Sequence, residues 1–570
     1  MKHDLVIRSG TVVDGTGQER FTADVAIDGD RITEVGRVEG TGASEIDADG
    51  LVVTPGFVDI HTHYDGQVTW DRMLAPSSIH GVTSVVMGNC GVGFAPVRPG
   101  AERQEFLIKL MEGVEDIPGT ALAEGLSWEW ESLPEYFDHI TAMGHTIDVG
   151  AQIPHAALRA YVMGERGADY HTDPNPEEIA EMGRLTAEAL EAGAIGFATS
   201  RSVNHRTIEG QKIGTLTASD DELRGIAEAL RSTGRGVLQF VSDFRDIDAE
   251  LSLMRSLSDL ADRPASVSLA QFDAKPDNWR KVLGWIDDAV ADGARMKAQV
   301  LGRPIGFLVR LGGSMHPFIQ CESWRPLADL SDADREIRMR DPELRRRLLA
   351  EARETRGSIY SFVARSPHRL FELGEVPDYE PPAEASIGAR AEREGIDPME
   401  LVYDRLAAGE TFFFPVGNYA EGNLDATREM ILSDNTVFGL GDGGAHVTFI
   451  CDGSYPTSNL TLWCRDRSRG ERLPLELIVK GQTQDTASHV GWSDRGVLAP
   501  GYLADLNVID MDRLALDSPT VINDLPAGGQ RLMQTAQGYR HTIKRGEVSF
   551  TDGEHTGVFN GTLVRGAQGI

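Results

Sequence analysis

Two histidines, His61 and His63, stand two residues apart at the end of an apolar segment that begins with the turn Pro55-Gly56. In an extended strand, side chains at positions i and i+2 point to the same face, so both imidazoles can reach one metal ion. A random His-x-His pair is more often an ordinary feature of a strand. Here the almost wholly apolar segment is typical of a buried parallel strand, whose C-terminal end carries the chemistry in α/β barrels. We therefore predict a metal site at this pair.

A second chemical signal is Cys90, which closes the β-branched, glycine-bounded run from Val82 to Cys90. Such a run predicts a second buried strand. A lone cysteine after an apolar strand is usually only a small buried residue. The position of Cys90 relative to His61 and His63 favours the interpretation as a ligand.

The segment from Thr54 to His63 resembles the first barrel strand of the amidohydrolase superfamily. Tyr64-Asp65-Gly66-Gln67 and Gly88-Asn89-Cys90-Gly91 resemble its D-aminoacylase branch, in which a cysteine after the second barrel strand is a metal ligand. The string from Gly496 to Asp510 resembles the superfamily pattern Gly-x-Leu-x-x-Gly-x-x-Ala-Asp-Leu. The resemblance implies an α/β fold: a TIM-like (β/α)8 barrel, a small β-sandwich formed by both chain ends, and a metal-dependent activity.

The order of segments along the chain agrees with that architecture. Glycine-punctuated β-rich segments predict sandwich parts at residues 1–53 and 491–570, with the barrel at 54–490 between them. The stretch of about 302–434 is too long for a loop, and we interpret it as an insertion before the last barrel strand that caps the site or forms a subunit contact. Helices are predicted at Asn175 to Ala192, Ser219 to Thr233 and Asp341 to Glu354. The remaining barrel strands are predicted at Asp148 to Pro154, Ala194 to Ser200, Gly236 to Ser242, Ala265 to Gln271, Met296 to Leu301 and Val437 to Asp442.

The last of these strands carries a candidate base in the run from Phe438 to His446. The resemblance implies that Asp442 binds the metal and takes a proton from the attacking water, with glycines allowing close approach around it. An Asp-Gly pair alone is more often a simple turn. Together with His61, His63 and Cys90, it gives two imidazoles, a thiolate and a carboxylate, a set that suits zinc.

Strands five and six depart from the D-aminoacylase pattern, because neither contains the histidine that the branch places there. The chain has Gln239 to Arg245 and Val267 to Phe272 instead. We favour one zinc ion per chain, held by the first-strand histidines and Asp442. Two alternatives stay open: two metals, with Asp243 or Gln271 stepping in, and a site that has lost its metal.

The substrate side also departs from the branch, because the run from His446 to Asp452 lacks the arginine that binds a substrate carboxylate. Arg201 is a candidate replacement, although a structural salt bridge is an equal interpretation. His155 resembles a histidine that the family has after strand three, and it either polarises the substrate or organises supporting hydrogen bonds. His155 and His205 are the candidate catalytic donors. Tyr64 and His446 are candidate substrate contacts.

Composition narrows the classes of function. The 570-residue chain carries a formal charge of −33, which argues against binding nucleic acid or anionic membranes. It has four cysteines, no apolar run long enough to span a bilayer and no signal-peptide core at its N-terminus, so we expect a cytoplasmic protein. Large amidohydrolases are commonly oligomers, and a homo-oligomer is expected.

The predicted function is hydrolysis of an amide carbon-nitrogen bond in a small molecule by a zinc-activated water, in the manner of an N-acyl-D-amino-acid deacylase. Two other classes remain open. One is a metal-dependent lyase or decarboxylase on the same barrel, and the other is a non-catalytic assembly protein built on a decayed barrel.

Overall fold

The computed structural model describes residues 2–328, 330–357 and 359–569, and the chain begins with antiparallel and parallel pairs of strands. Each of the first two strands buries three consecutive apolar residues, Leu5 to Ile7 and Val25 to Ile27. The strands of this first part are β1 (Lys2–Val12), β2 (Phe21–Asp28), β3 (Arg31–Gly36), β4 (Thr41–Asp47) and β5 (Val52–Pro55).

A parallel sheet follows, and its strands are buried on both faces, as the near-continuous apolar segments predicted. Asp148–Pro154 has the predicted bounds, and the others differ by a few residues at their ends. The first seven barrel strands are β6 (Phe57–Asp59), β7 (Val82–Met87), β8 (Asp148–Pro154), β9 (Gly196–Arg201), β10 (Val237–Ser242), β11 (Ala265–Ser268) and β12 (Met296–Val300).

Helices connect these strands, and their first turns are stabilised by side-chain caps. Asn175 and Glu178 form a reciprocal capping box, and the Ser219 side chain accepts a hydrogen bond from the Glu222 amide, so both predicted helices begin at these caps. The helices are α1 (Ala101–Glu115), α2 (Gly119–Gly125), α3 (Leu133–Met143), α4 (His155–Met163), α5 (Pro176–Ala192), α6 (Asp220–Thr233), α7 (Ile247–Ala261) and α8 (Asn278–Ala291).

An insertion separates β12 from the last barrel strand, as predicted. It has its own apolar core, which includes Val309, Phe318, Leu348 and Phe412. Its elements are β13 (Ile305–Val309), α9 (Asp332–Met339), α10 (Pro342–Glu354), α11 (Ile359–Arg365), β14 (Phe371–Glu372), α12 (Ile387–Glu394), α13 (Pro398–Ala407) and β15 (Phe412–Gly417). Helix α14 (Asp425–Ile431) then leads to the eighth barrel strand, β16 (Thr436–Phe438).

The chain ends in a second set of short elements. These are α15 (Tyr455–Ser458), α16 (Leu475–Lys480), α17 (Thr486–His489), β17 (Leu506–Ile509), β18 (Ala515–Leu516), β19 (Thr520–Leu525), β20 (Gly529–Met533), β21 (Ala536–Gln537), β22 (Tyr539–Lys544), β23 (Glu547–Thr551) and β24 (Glu554–His555). Strands from both chain ends join in one nine-stranded sheet, in the order β24-β23-β22-β17-β5-β1-β2-β3 with β4 beside β1. A two-layer sandwich and the expected domain limits stay predictions.

The eight parallel strands run in the order β6 to β12 and then β16, which is the TIM-like barrel that the sequence predicted. The ring closes beyond the strands themselves. Thr62 and Gly443 form a parallel bridge, where the His63 amide donates to the Gly443 carbonyl at 2.8 Å and the Asp442 amide donates to the His61 carbonyl at 3.2 Å. The segments that follow the first and eighth strands are therefore held side by side.

The predicted ligands lie just beyond the strands and not within them. β6 ends at Asp59, and Thr62 continues the extended path by donating its amide to Val86. Gly88, at φ 82°, turns the chain after β7, and a Cβ there would lie 2.5 Å from the Gln152 carbonyl oxygen. Cys90 is thus carried by a short turn after the strand.

Among the described residues, none of the helices combines the length and apolarity that a membrane crossing requires.

Candidate metal centre

Three buried side chains converge at the C-terminal mouth of the barrel. The ligand atoms of His61, His63 and Cys90 all lie within 4.8 Å of one another, and Cys90 Sγ is 3.5 Å from His61 Nε2. Asp442 joins them, with its Oδ1 at 3.4 Å from His61 Nε2 and 3.6 Å from His63 Nε2. The structure therefore brings the four predicted metal ligands together.

The local backbone explains how Asp442 reaches the histidines. Asp442 has a φ of 47°, in the left-handed region that is costly for a residue with a side chain. A Cβ at Gly441 would lie 2.5 Å from the Tyr455 ring, and one at Gly443 would lie 2.7 Å from Ser77 Oγ. Glycine is therefore needed on both sides of Asp442.

The donor set fits a metal ion. Both ring nitrogens of His63 are buried and lack a hydrogen-bond partner among the described residues. Buried polar atoms are normally paired, and unpaired ones mark the place of an ion or a ligand. Two imidazoles, a thiol and a carboxylate around such atoms match the ligands of zinc.

Two glutamines from barrel strands hold the ligands in place. Gln299 Oε1 is 2.6 Å from His61 Nδ1, and its own amide nitrogen donates to Ser266. Gln299 can therefore accept the Nδ1 proton of His61 and leave Nε2 free to bind a metal. Gln239 Oε1 accepts a hydrogen bond from the backbone amide of Cys90 at 3.2 Å.

Strands five and six, represented by β10 and β11, add no ligand to this cluster. In the part of the chain that the structure describes, His61, His63 and Cys90 are the metal-binding group found. Asp243 accepts hydrogen bonds from the Ser202 hydroxyl and the Val203 amide, and Gln271 binds the backbone amide of Ala420. Both alternatives considered for a second metal are therefore engaged elsewhere.

Glu115, at the end of α1, is a site residue that sequence reasoning missed. Its side chain is 2% exposed. Oε1 lies 3.4 Å from His63 Nδ1, and Oε2 lies 3.7 Å from His446 Nε2. No motif surrounds it, and only burial in the folded chain distinguishes it from the exposed acidic residues of the same helix.

Burial sets the protonation of the cluster. It lowers the pKa of His61 to about 4 and raises the pKa of Cys90 to about 12. Burial also opposes a charge on His63, but the carboxylates of Glu115 and Asp442 raise its pKa well above the ordinary value. For Asp442 the neighbouring histidines outweigh burial and lower the pKa. Burial also raises the pKa of Glu115 to about 7, so the acidic groups of the cluster differ in their tendency to ionise.

The cluster opens into a cavity of about 550 Å³, a size suited to a small molecule. His205 and His446 line this cavity, and each has an Nδ1 atom without a hydrogen-bond partner. Burial lowers the pKa of each imidazole to about 4, so both are neutral near pH 7. The two predicted residues are therefore placed where a substrate would lie.

Three other predicted residues are held away from the cavity lining. Arg201 donates to the Glu250 carboxylate and to the Ala218 carbonyl, each at 3.0 Å. This is the salt bridge that was the alternative interpretation. It engages the Arg201 guanidinium, the group that was the candidate for binding a substrate carboxylate.

His155 and Tyr64 are likewise engaged. Both nitrogens of His155 have partners, Thr199 Oγ1 at 2.8 Å and Glu222 Oε1 at 3.0 Å. The Tyr64 hydroxyl donates to Ser77 Oγ at 2.8 Å and accepts from the Ser77 amide. Both side chains are fully buried, which fits a supporting role in packing around the barrel mouth.

Comparison with known proteins agrees with this geometry. The profile of the amidohydrolase family matches residues 44–550, which is most of the chain. The chain belongs to the amidohydrolase family.

Relatives of this amidohydrolase include the N-acyl-D-glutamate deacylase of Alcaligenes xylosoxydans xylosoxydans, which is 31% identical over 313 residues, 53% of this chain and 57% of the relative. Among solved structures, a D-aminoacylase has a TM-score of 0.65 at 23% identity, and the match covers 99% of this chain and 100% of that one. That D-aminoacylase has a binuclear metal centre and is described as activated by one metal and attenuated by a second. An N-acyl-D-glutamate deacylase from Bordetella bronchiseptica, complexed with zinc and a phosphonate inhibitor, has a TM-score of 0.63 at 22% identity over 99% and 100% of the two chains. The solved structures show that this chain shares their fold, and the deacylase relative agrees with the resemblance to the D-aminoacylase branch.

Zinc binding to this amidohydrolase is expected to strengthen with rising pH. Near pH 7 the raised pKa values keep Cys90 and His63 protonated, and both must lose a proton to become ligands, so binding should release about two protons. Calorimetry in buffers of different ionisation enthalpy measures this number. Cys90→Ser should release about one proton fewer, and an affinity that does not change with pH would contradict the assignment.

Glu115→Gln is expected to weaken zinc binding about 10- to 100-fold, because His63 loses the carboxylate that faces its Nδ1. Competition with a chelator of known affinity measures the effect. Glu105→Gln on the exposed side of α1 is the matched control and should bind zinc like the wild type. Equal affinity of both variants would show that Glu115 does not orient His63.

Proposed function

We propose that this amidohydrolase hydrolyses the amide bond of N-acyl amino acids with one zinc ion, held by His61, His63, Cys90 and Asp442. The observation that carries the proposal is the convergence of these side chains at the barrel mouth, where His63 Nε2 lies 3.6 Å from Asp442 Oδ1. Hydrolysis of carbon-nitrogen bonds outside peptides is the activity of the family, and the deacylase relatives act on N-acyl-D-amino acids by their names.

The residues of the chain would divide the reaction as follows. A zinc ion in this donor set would acidify a bound water and polarise the scissile carbonyl. Asp442, ionised because its pKa is lowered, accepts the proton of the attacking water and delivers it to the leaving nitrogen. His205 and His446, neutral and facing the cavity, offer hydrogen bonds to the substrate.

A single zinc ion is the metal content that the residues favour. The segments Gln239 to Arg245 and Val267 to Phe272 contain no histidine, and the Gln239 side chain is already bound to the Cys90 amide. A second ion would have no imidazole ligand from those segments. The D-aminoacylase neighbour that one metal activates supports this count.

The other two classes are less well supported. A non-catalytic assembly protein would not need a metal site, yet the four ligands and the glycines on both sides of Asp442 are all present. A lyase would retain them, but it would not incorporate oxygen from labelled water into the product acid. A cytoplasmic location is supported by the four cysteines, all of them unpaired, and a homo-oligomer remains part of the proposal.

Asp442→Asn is expected to lower turnover of the substrate about 10²- to 10⁴-fold, because the base is lost while the side chain keeps its size. The measurement is release of free amino acid from N-acyl amino acids of both hands. Asp466→Asn, an exposed substitution beside Arg465, is the control and should leave turnover unchanged. Circular dichroism should show the same fold in both variants, and substantial activity of Asp442→Asn would remove it as the base.

A further inference from the structure

One wall of the cavity comes from a single stretch of chain that follows the sixth barrel strand. We call the stretch 269–282 the sixth-strand wall. Several of its side chains line the cavity, and most of them are apolar: Leu269, Ala270, Phe272, Lys275, Trp279 and Val282. Where the D-aminoacylase branch has a metal ligand after this strand, the present chain has a surface suited to contacts with a substrate.

The insertion holds this wall in position. Gln271 and Asn418 exchange two hydrogen bonds, at 2.8 and 3.0 Å, and Gln271 Oε1 also accepts the Ala420 amide at 3.2 Å. Asp273 forms an ion pair of 2.6 Å with Arg369, which also donates to the Pro415 carbonyl. The wall is therefore held by Asn418 and Ala420, which follow β15, and by Arg369, which is itself bound to Pro415 in β15. These contacts suit a preformed binding surface.

Lys275 is held by a tight turn within this wall. Its amide donates to the Phe272 carbonyl at 3.1 Å, and its carbonyl accepts the Asn278 amide at 3.0 Å. The side chain lines the cavity and is exposed. Among the described residues, none forms a hydrogen bond or ion pair with its ammonium group.

The arginine of the cavity lining, unlike Lys275, has an acidic neighbour. Arg245 lies 3.7 Å from the Asp243 carboxylate, and its side chain is 69% exposed. Trp279 provides a further unpaired donor, because it is 1% exposed and its indole Nε1 lacks a partner. An ammonium group without a partner among the described residues, on an apolar wall, indicates a ligand with a negative oxygen and an apolar body.

We propose that Lys275 binds the free carboxylate of the substrate at the cavity mouth, while the apolar side chains of the sixth-strand wall hold an apolar amino-acid side chain. Lys275 thereby replaces the arginine that is missing after Asp442. The substrate class is N-acyl amino acids with apolar side chains. The inference rests on the proposed function for the reaction that the enzyme catalyses, whereas binding of an N-acyl amino acid at Lys275 can be tested without that reaction.

The test compares Lys275→Met with wild type on two substrates, N-acetylphenylalanine and its uncharged carboxamide, each in both hands. Loss of a charge-assisted hydrogen bond should raise KM for the acid about tenfold or more, with kcat little changed. KM for the carboxamide should not change. Lys281→Met on α8, whose side chain is exposed and outside the cavity lining, is the matched control.

Calorimetric titration of the zinc-loaded protein with N-acetylphenylalanine separates this inference from the proposed function. Weaker binding by Lys275→Met without hydrolysis by the wild type would support the Lys275 site and refute the deacylase reaction. Equal losses for the acid and the carboxamide would overturn the inference, because Lys275 would then act on the structure of the wall. It would also be overturned if Arg245→Met, and not Lys275→Met, weakened binding of the acid.

Discussion

Two backbone hydrogen bonds between the first and last barrel segments determine the position of the whole site. The His63 amide donates to the Gly443 carbonyl, and the Asp442 amide donates to the His61 carbonyl. The pairing lies beyond the last residues of β6 and β16, so it closes the ring of strands where the ligands are needed. Histidines from near residue 60 and a carboxylate from near residue 440 are thereby brought within 3.4 to 3.6 Å of each other. That close approach requires glycine on both sides of Asp442.

Burial at this junction creates an electrostatic problem that a metal ion would solve. Glu115, Asp442 and His63 lie together with little solvent, and uncompensated buried charges are costly. The neighbouring acidic side chains raise the pKa of His63, while the histidines lower the pKa of Asp442, so a proton on His63 and the charge of Asp442 stabilise each other. A divalent cation can take the place of that proton, with Gln299 and Glu115 fixing the outer nitrogens of the two histidines. Because the segments at strands five and six contain no histidine, the cluster gains no imidazole from them, and the wall that follows strand six lines the cavity instead.

Periodicity, turn residues and the His-x-His spacing are local signals, and they predicted the barrel strands, the insertion and the histidine pair. The roles of Cys90 and Asp442 came from the resemblance to the amidohydrolases. The ligands were expected at the C-terminal ends of strands, whereas the turn at Gly88 and the bridge at Thr62 put them just after. Position alone left two interpretations open for Arg201 and for His155, since their orientation depends on Glu250 and Glu222, which come from helices far along the chain. Glu115, Gln299 and Lys275 were missed for the same reason: only the folded chain brings Gln299 to His61, and Glu115 and Lys275 to the cavity.

The most direct test of this account is the zinc content of the purified protein, measured by elemental analysis in the wild type and in the double variant His61→Ala/His63→Ala. The account predicts about one zinc per chain in the wild type and almost none in the double variant. A wild-type protein without stoichiometric metal, or a double variant that retains it, would contradict the metal centre on which the proposed function depends.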